Sequence, residues 1–299
     1  TTEEVGFEMS HVIPLRGLKD TTLWKKLDTG FDKTADEEVS RFLASNLLVS
    51  CEEASDRMKS TISLHKQFTL HDETHLLRVT ELMAKIVPER TLNGLNPIEI
   101  SLLILAAFFH DQGMVLDNRE LELIKSDEKF KIFRDNWVIE HPNLREVQIQ
   151  LQDRNLSPSE RQKYENIEYE LCSAMLTDYV RQNHASRSAE FVKLNYTKEK
   201  MWIVAGTNLA PYVAILCRSH VLSSVDLVPE NGFNHDESIG QYKVNLSYLS
   251  LVLRLADILD FDRDRTPDSL YRTIHFSNEI SLLEWEKHRS VEGWDISPR

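Results

Sequence analysis

The sequence predicts an all-α protein, and three observations carry that expectation. Apolar residues recur at helical spacing over long stretches, strand-type alternation is scarce, and only 9 of 299 residues are glycine, against ~7% in an average protein. Residues 1–35 are weakly patterned and are expected to wrap the core or to be partly disordered, with Trp24 docking the 23–27 segment. Helix 36–59 follows, with Val39, Phe42, Leu43, Leu47 and Leu48 near a 3.6-residue period. Helix 72–87 places Leu76, Val79, Leu82, Met83 and Ile86 on one face and is stopped by Pro88. Asn96-Pro97 opens a third helix, which runs through 98–110 and breaks near Gly113. Further helices fit 158–183, 209–223 and 243–260. The charged stretch 117–162 has sparse apolar positions (Phe130, Phe133, Trp137, Val147, Ile149) and reads as a helical insertion or cap. Residues 231–240 read as a polar loop, and 271–276 is the best short strand candidate.

Composition excludes several classes. With 35 Lys+Arg against 48 Asp+Glu the formal charge is −13, the wrong sign for a general binder of the nucleic-acid backbone. A local basic pocket is still permitted. Neither G-x-G-x-x-G nor G-x-x-x-x-G-K-[ST] occurs, so a glycine-rich phosphate loop is not expected. Cys51, Cys172 and Cys217 are odd in number and widely spaced, which suits reduced thiols in a cytoplasmic protein. No apolar run reaches the ~18 residues of a membrane span, and no signal peptide is recognisable. The chain opens Thr1-Thr2-Glu3 without a methionine, and we expect it to be part of something longer.

The informative residues are polar groups placed where helix composition alone would not put them. His71 and His75 stand four apart at the start of the second helix and could share an ion on one face. The apolar run 102–109 ends in His110-Asp111, an imidazole beside a carboxylate. Asp257 interrupts the otherwise apolar Leu253-Arg254-Leu255-Ala256-Asp257-Ile258-Leu259. A carboxylate in apolar surroundings is costly unless paired or bound to metal, so convergence on a cation is the simplest explanation.

This ordering resembles the HD superfamily of metal-dependent phosphohydrolases, whose pattern is a histidine, an adjacent His-Asp and a distant Asp. His75 matches the first histidine, His110 and Asp111 the doublet within His110-Asp111-Gln112-Gly113-Met114, and Asp257 the last ligand. The resemblance implies an HD-domain helical bundle over 61–265, with 117–162 as its insertion. Residues 1–60 then form an N-terminal helical extension, and 266–299 a C-terminal extension or the start of a linker to a further domain. His184 and His220 lie in the interval where two-metal members of the superfamily carry extra histidines, and are assigned to a second ion. His71 either assists that site or donates from behind it. A narrower similarity is to HD domains that precede an ATPase module of the histidine-kinase and chaperone (GHKL) type. It rests on Tyr212–Cys217 leading to Arg218-Ser219-His220, and on Asp257-Ile258-Leu259-Asp260 with the charged stretch to Pro267. That subgroup usually has glycine after the first histidine of the opening motif, where this chain has Asp72.

The resemblance implies one or two divalent ions, Mn, Fe, Zn, Ni or Mg, which acidify water and shield phosphate charge. Asp111 would bridge two ions, and Asp111 and His184 are assigned to catalysis. Arg78, Arg187, Arg218 and Arg254 lie close to the ligands in sequence and are candidates to grip phosphate oxygens. The expected substrate is a nucleotide or other phosphorylated small molecule, with nucleic acid entering only as a strand end. No membrane is expected, and a further domain or a homo-oligomer is. The polar insertion is expected to gate the pocket. Two other readings compete: a metal- and nucleotide-binding sensor that regulates a fused or partner ATPase, and a helical scaffold without chemistry. A zinc-peptidase motif fails because Asp72, not Glu, follows His71, and a calcium loop at 260–271 fails because Arg265 and Tyr271 replace the required Gly and Glu. Histidines 11, 65, 141, 235, 275 and 288 are expected to be solvated, while Trp137, Trp202, Trp285 and Trp294 are expected to anchor packing.

Overall fold

The computed structural model describes residues 16–31, 35–60, 69, 72–261, 265–274, 276 and 279–291. The architecture is all-α, as expected. In chain order the helices are α1 Arg16–Asp20, α2 Thr22–Thr29, α3 Ala35–Met58, α4 Glu73–Ile86, α5 Glu89–Gly94, α6 Pro97–Phe109, α7 Asn118–Ser126, α8 Glu128–Glu140, α9 Pro142–Leu151, α10 Pro158–Tyr196, α11 Ala210–Ser219, α12 Leu246–Leu259, α13 Asp268–Tyr271 and α14 Glu279–Ser290.

Helix α6 is the centre. All of its residues are buried, as a helix that is apolar all round demands. Its start is set by a capping box: the Asn96 side chain accepts from the Ile98 and Glu99 amides, and Glu99 returns to the Asn96 amide with Pro97 at the first position. Helices α2, α3, α4, α11 and α12 pack around it. Leu18, Leu23, Trp24 and Leu27 of the N-terminal helices enter this core, so Trp24 does dock its segment. No single helix among the described residues is long and apolar enough to cross a membrane.

Helix α10 joins this core to a smaller one. Its 39 residues span roughly 58 Å at 1.5 Å per residue. Ala174, Met175, Tyr179 and Val180 pack with Ile124, Phe130, Trp137 and Leu144 of α7–α9, so the 117–162 stretch is helical and has its own core. Ala189, Val192 and Tyr196 belong to the main core. The sequence reading ended this helix at Asn183. It continues because Ala185, Ser188, Ala189 and Val192 keep the helical period beyond the polar Asn183-His184 pair, and all four are buried.

Two short hairpins were not anticipated. Strands β1 Ile203–Val204 and β2 Thr207–Asn208 pair across Ala205-Gly206, both at positive φ (49° and 79°), as the favoured two-residue hairpin turn requires. Strands β3 Glu237–Ile239 and β4 Tyr242–Val244 pair antiparallel, so part of the expected 231–240 loop is strand. Segments of two or three residues are too short for alternation to register. The expected strand at 271–276 is absent among its described residues. Tyr271 ends α13, and Tyr271, Phe276 and Trp285 form an aromatic cluster instead.

Candidate metal centre

Four helix ends bring the polar residues together. Asp72 caps α4 by accepting from the Thr74 and His75 amides at 3.0 and 3.2 Å, which places His75 in the first turn. His110 and Asp111 follow the last residue of α6. Their neighbour Phe109 packs edge-on against the stacked pair Tyr196 and Trp202, with centroids at 5.0 and 5.3 Å, and Trp202 Nε1 donates to Ser50 Oγ at 2.8 Å. His184 lies on α10 where the two cores meet, His220 follows α11, and Asp257 lies in the last turn of α12. His75, His110 and Asp111 are at most 3% exposed.

The imidazoles are aimed by their second nitrogens. Nδ1 of His110, His184 and His220 lies 2.9, 2.6 and 2.6 Å from the carbonyls of Ala107, Arg181 and Cys217. A carbonyl only accepts, so each Nδ1 carries hydrogen and each Nε2 faces the centre. His75 Nδ1 likewise donates to Asp260 Oδ2 at 2.6 Å. His75 and His110 then meet Nε2 to Nε2 at 3.3 Å, and His184 and His220 at 2.8 Å. Two neutral rings of this tautomer cannot bond each other Nε2 to Nε2; a proton or a metal ion between them resolves each encounter.

Asp111 stands between the two pairs. Its Oδ2 is 3.5 Å from His75 Nε2 and 3.2 Å from His110 Nε2, and its Oδ1 is 3.5 Å from His184 Nε2 and 3.7 Å from His220 Nε2. Asp257 Oδ1 completes the first group, 3.8 Å from His75 Nε2 and 3.6 Å from His110 Nε2. The triads His75, His110, Asp111 and Asp111, His184, His220 each present one donor atom per residue at distances a metal ion could bridge. Burial disfavours charge on His110, yet Asp111 and Asp257 outweigh it and raise its pKa. Burial, with His184 and His110 nearby, lowers His220 to about 4 and keeps it a neutral donor. Burial alone would raise Asp257, but His110 draws it below the ordinary carboxylate range.

The supports behind these residues are equally specific. Asp260 accepts from His75, from Arg78 Nε at 2.7 Å and from Arg265 Nη1 at 3.4 Å. The turn after Asp111 is clamped onto α10: Ser188 Oγ accepts from the Gly113 amide at 2.8 Å, and Arg187 donates to the Gly113 and Val115 carbonyls at 2.9 and 3.1 Å. A Cβ at Gly113 would sit 2.1 Å from the His184 carbonyl oxygen and 2.6 Å from the Ser188 amide. Gly113→Ala therefore has to push the turn off α10. We expect it to cost about 1–3 kcal/mol, read as a lowered midpoint in thermal unfolding, with weaker metal retention.

Set against the sequence expectations, His75, His110, Asp111, His184, His220 and Asp257 are brought together. His71 lies outside the described residues. The four candidate arginines hold protein groups and do not line the cavity: Arg78 holds Asp260, Arg187 holds the turn, Arg218 donates to Asn231 O and Arg254 to His220 O. The arginines that do line the cavity at the centre are Arg181 and Arg265, which the sequence reading missed. Asp260 was also missed, although its i,i+3 spacing from Asp257 was a usable signal. His288, expected to be solvated, is 5% exposed and lines the same cavity. His141 stacks on Trp137 and His235 is exposed, while His11, His65, His275 and Trp294 lie outside the described residues. Trp137, Trp202 and Trp285 are buried, as expected. Burial raises the thiols of Cys51 and Cys217 well above their ordinary pKa, which leaves them poor nucleophiles.

A helical bundle whose helix ends deliver His, His-Asp and Asp to one point defines an HD-type domain. The HD-CE family model matches residues 65–299, and the chain belongs to that family. No curated protein and no solved structure matches it.

Proposed function

We propose that the chain is a metal-dependent phosphohydrolase acting on a nucleotide or other phosphorylated small molecule, with two divalent ions sharing Asp111. The observation that supports this most is the division of one carboxylate between two histidine pairs, Oδ2 to His75 and His110 and Oδ1 to His184 and His220. In this reading His75, His110, Asp111 and Asp257 hold one ion, and Asp111, His184 and His220 the other. Mn, Fe, Zn, Ni and Mg all suit imidazole and carboxylate donors. Such ions supply Lewis acidity toward phosphoryl oxygens and lower the pKa of bound water.

The chain itself contributes orientation. Three backbone carbonyls and Asp260 fix the imidazoles before any ion arrives, and α10 holds the turn behind Asp111, so little reorganisation accompanies loading. The test is turnover by the Mn-loaded chain of p-nitrophenyl phosphate, bis(p-nitrophenyl) phosphate and a nucleotide panel. Release of nitrophenol or phosphate that chelation abolishes and Mn restores is expected. A folded chain with neither metal nor turnover contradicts the reading. Nucleotide binding by the metal-loaded chain without product would favour a sensor module instead, the role that fits the similarity to domains preceding an ATPase.

A further inference from the structure

The cavity that opens on the metal centre, about 310 Å³, is not made by the His/Asp helices alone. One wall comes from α14 and from the segment after Asp257, beyond the part of the chain to which sequence reasoning assigned chemistry. Arg265, 5% exposed, and Arg181 and Lys287 all line it alongside Asp111, His184 and His220. A buried arginine keeps a counterion, and here the counterion, Asp260, lines the same cavity. Each cation is held against an acid at the long end of the ion-pair range: Arg181 on Asp178 at 3.5 Å, Arg265 on Asp260 at 3.4 Å and Lys287 on Glu284 at 3.6 Å. These pairs leave the wall nearly neutral, and Arg181 Nη2 also donates to Ser281 Oγ at 2.7 Å, so the cations are held in place on the cavity wall. A phosphate entering the cavity would meet all three cations beside the metal centre.

The remaining lining is apolar. Val221 and Ile258 are 51% and 45% exposed, and Phe261 lies under the Lys287 ammonium at 4.9 Å. All three belong to the cavity. One cavity therefore offers a metal centre, a cation wall and an apolar face with an aromatic ring. The family match runs through 299, so the segment carrying this wall is part of the matched unit.

We infer that α14 and the segment before it complete the substrate site. Arg181, Arg265 and Lys287 receive a phosphate, and Phe261, Ile258 and Val221 receive the flat or apolar organic half of the same phosphate ester. The substrate class is thus a small phosphate ester with a planar group, not a bare phosphate chain. This rests on the phosphohydrolase reading above, and the test separates the two.

The probes are inorganic phosphate and p-nitrophenyl phosphate, titrated calorimetrically into the full chain with and without Mn, beside elemental analysis of each protein. Lys287 is half exposed, so Lys287→Ala should fold normally and keep the wild-type metal content. Binding of both probes is expected to weaken about tenfold, the scale of one hydrogen bond to a charged group, with Lys287→Arg restoring most of it. Arg265→Gln should weaken it more, and Phe261→Ala should weaken only the aromatic ester. Wild-type metal content with phosphate affinity unchanged in Lys287→Ala and Arg265→Gln overturns this inference and leaves the metal reading standing. A wild-type chain that binds no metal overturns both.

Discussion

Asp111→Asn should lose metal at both positions and, in the metal-loaded chain, lower turnover on the order of 10³-fold. The substitution keeps the shape of the side chain while removing the one charge that faces both histidine pairs. An amide can turn its oxygen toward only one of them and presents N–H donors to the other, against Nε2 atoms already aimed inward by the Ala107, Arg181 and Cys217 carbonyls. The magnitude follows from the several kcal/mol a metal ion supplies to charge development, each 1.36 kcal/mol being a factor of ten. Stability should respond as well. Asp111 is buried and holds the His110 pKa up, so removing its charge leaves a buried imidazole without that partner, and the metal-free variant should melt below the metal-free wild type. Metal at about 100 times its dissociation constant should stabilise the wild type by about 2.7 kcal/mol and the variant by far less. Melting curves with and without Mn, beside a turnover assay, check both halves.

Asp260→Asn should be the most destabilising change at the centre that touches none of the proposed metal donors' inward-facing atoms. Asp260 is 3% exposed and accepts from His75, Arg78 and Arg265. Removing its charge leaves two guanidinium groups and an oriented imidazole without their counterion, a loss of about 3–5 kcal/mol for a buried pair broken from one side. Metal affinity should fall about 10- to 100-fold, the usual result of losing the group behind a histidine ligand. The pH dependence gives an independent reading. Burial pushes the Asp260 carboxyl up, but His75, Arg265 and Arg78 outweigh it and hold it below the ordinary carboxylate range. Between the folded value and ~3.9 the unfolded chain binds the proton and the folded chain does not, so this stability is present above that range and is lost as pH falls through it. Denaturant unfolding from pH 7 to pH 3 should therefore show a steeper acid limb in the wild type than in Asp260→Asn.

Much of this was legible in the sequence because the decisive signals were local. His110-Asp111 closes an apolar run and Asp257 interrupts one, and a polar group in such a setting announces a partner. The helices were legible for the same reason, since α4, α6 and α12 carry their apolar faces and caps within a few residues. What failed depended on distance or on length. The side chain a guanidinium will meet is set by tertiary packing, so nearness in sequence to His184 or His220 assigned Arg187 and Arg218 to phosphate, where the fold gives them backbone carbonyls. Arg265 and Lys287 were invisible as cavity residues because the cavity joins them to Asp111, more than a hundred positions earlier, and only tertiary packing makes that juxtaposition. Helix α10 runs past its expected end because Ala185, Ser188, Ala189 and Val192 carry the helical period on beyond His184.

The central claim is that two ions share Asp111. The most direct measurement is elemental analysis of the metal-loaded wild-type chain beside His220→Asn, with folding followed by circular dichroism. The account predicts two ions per wild-type chain and one in the variant, because His75, His110, Asp111 and Asp257 still surround the first position. A wild-type chain that saturates at one ion or none, or a folded His220→Asn that retains two, would contradict it.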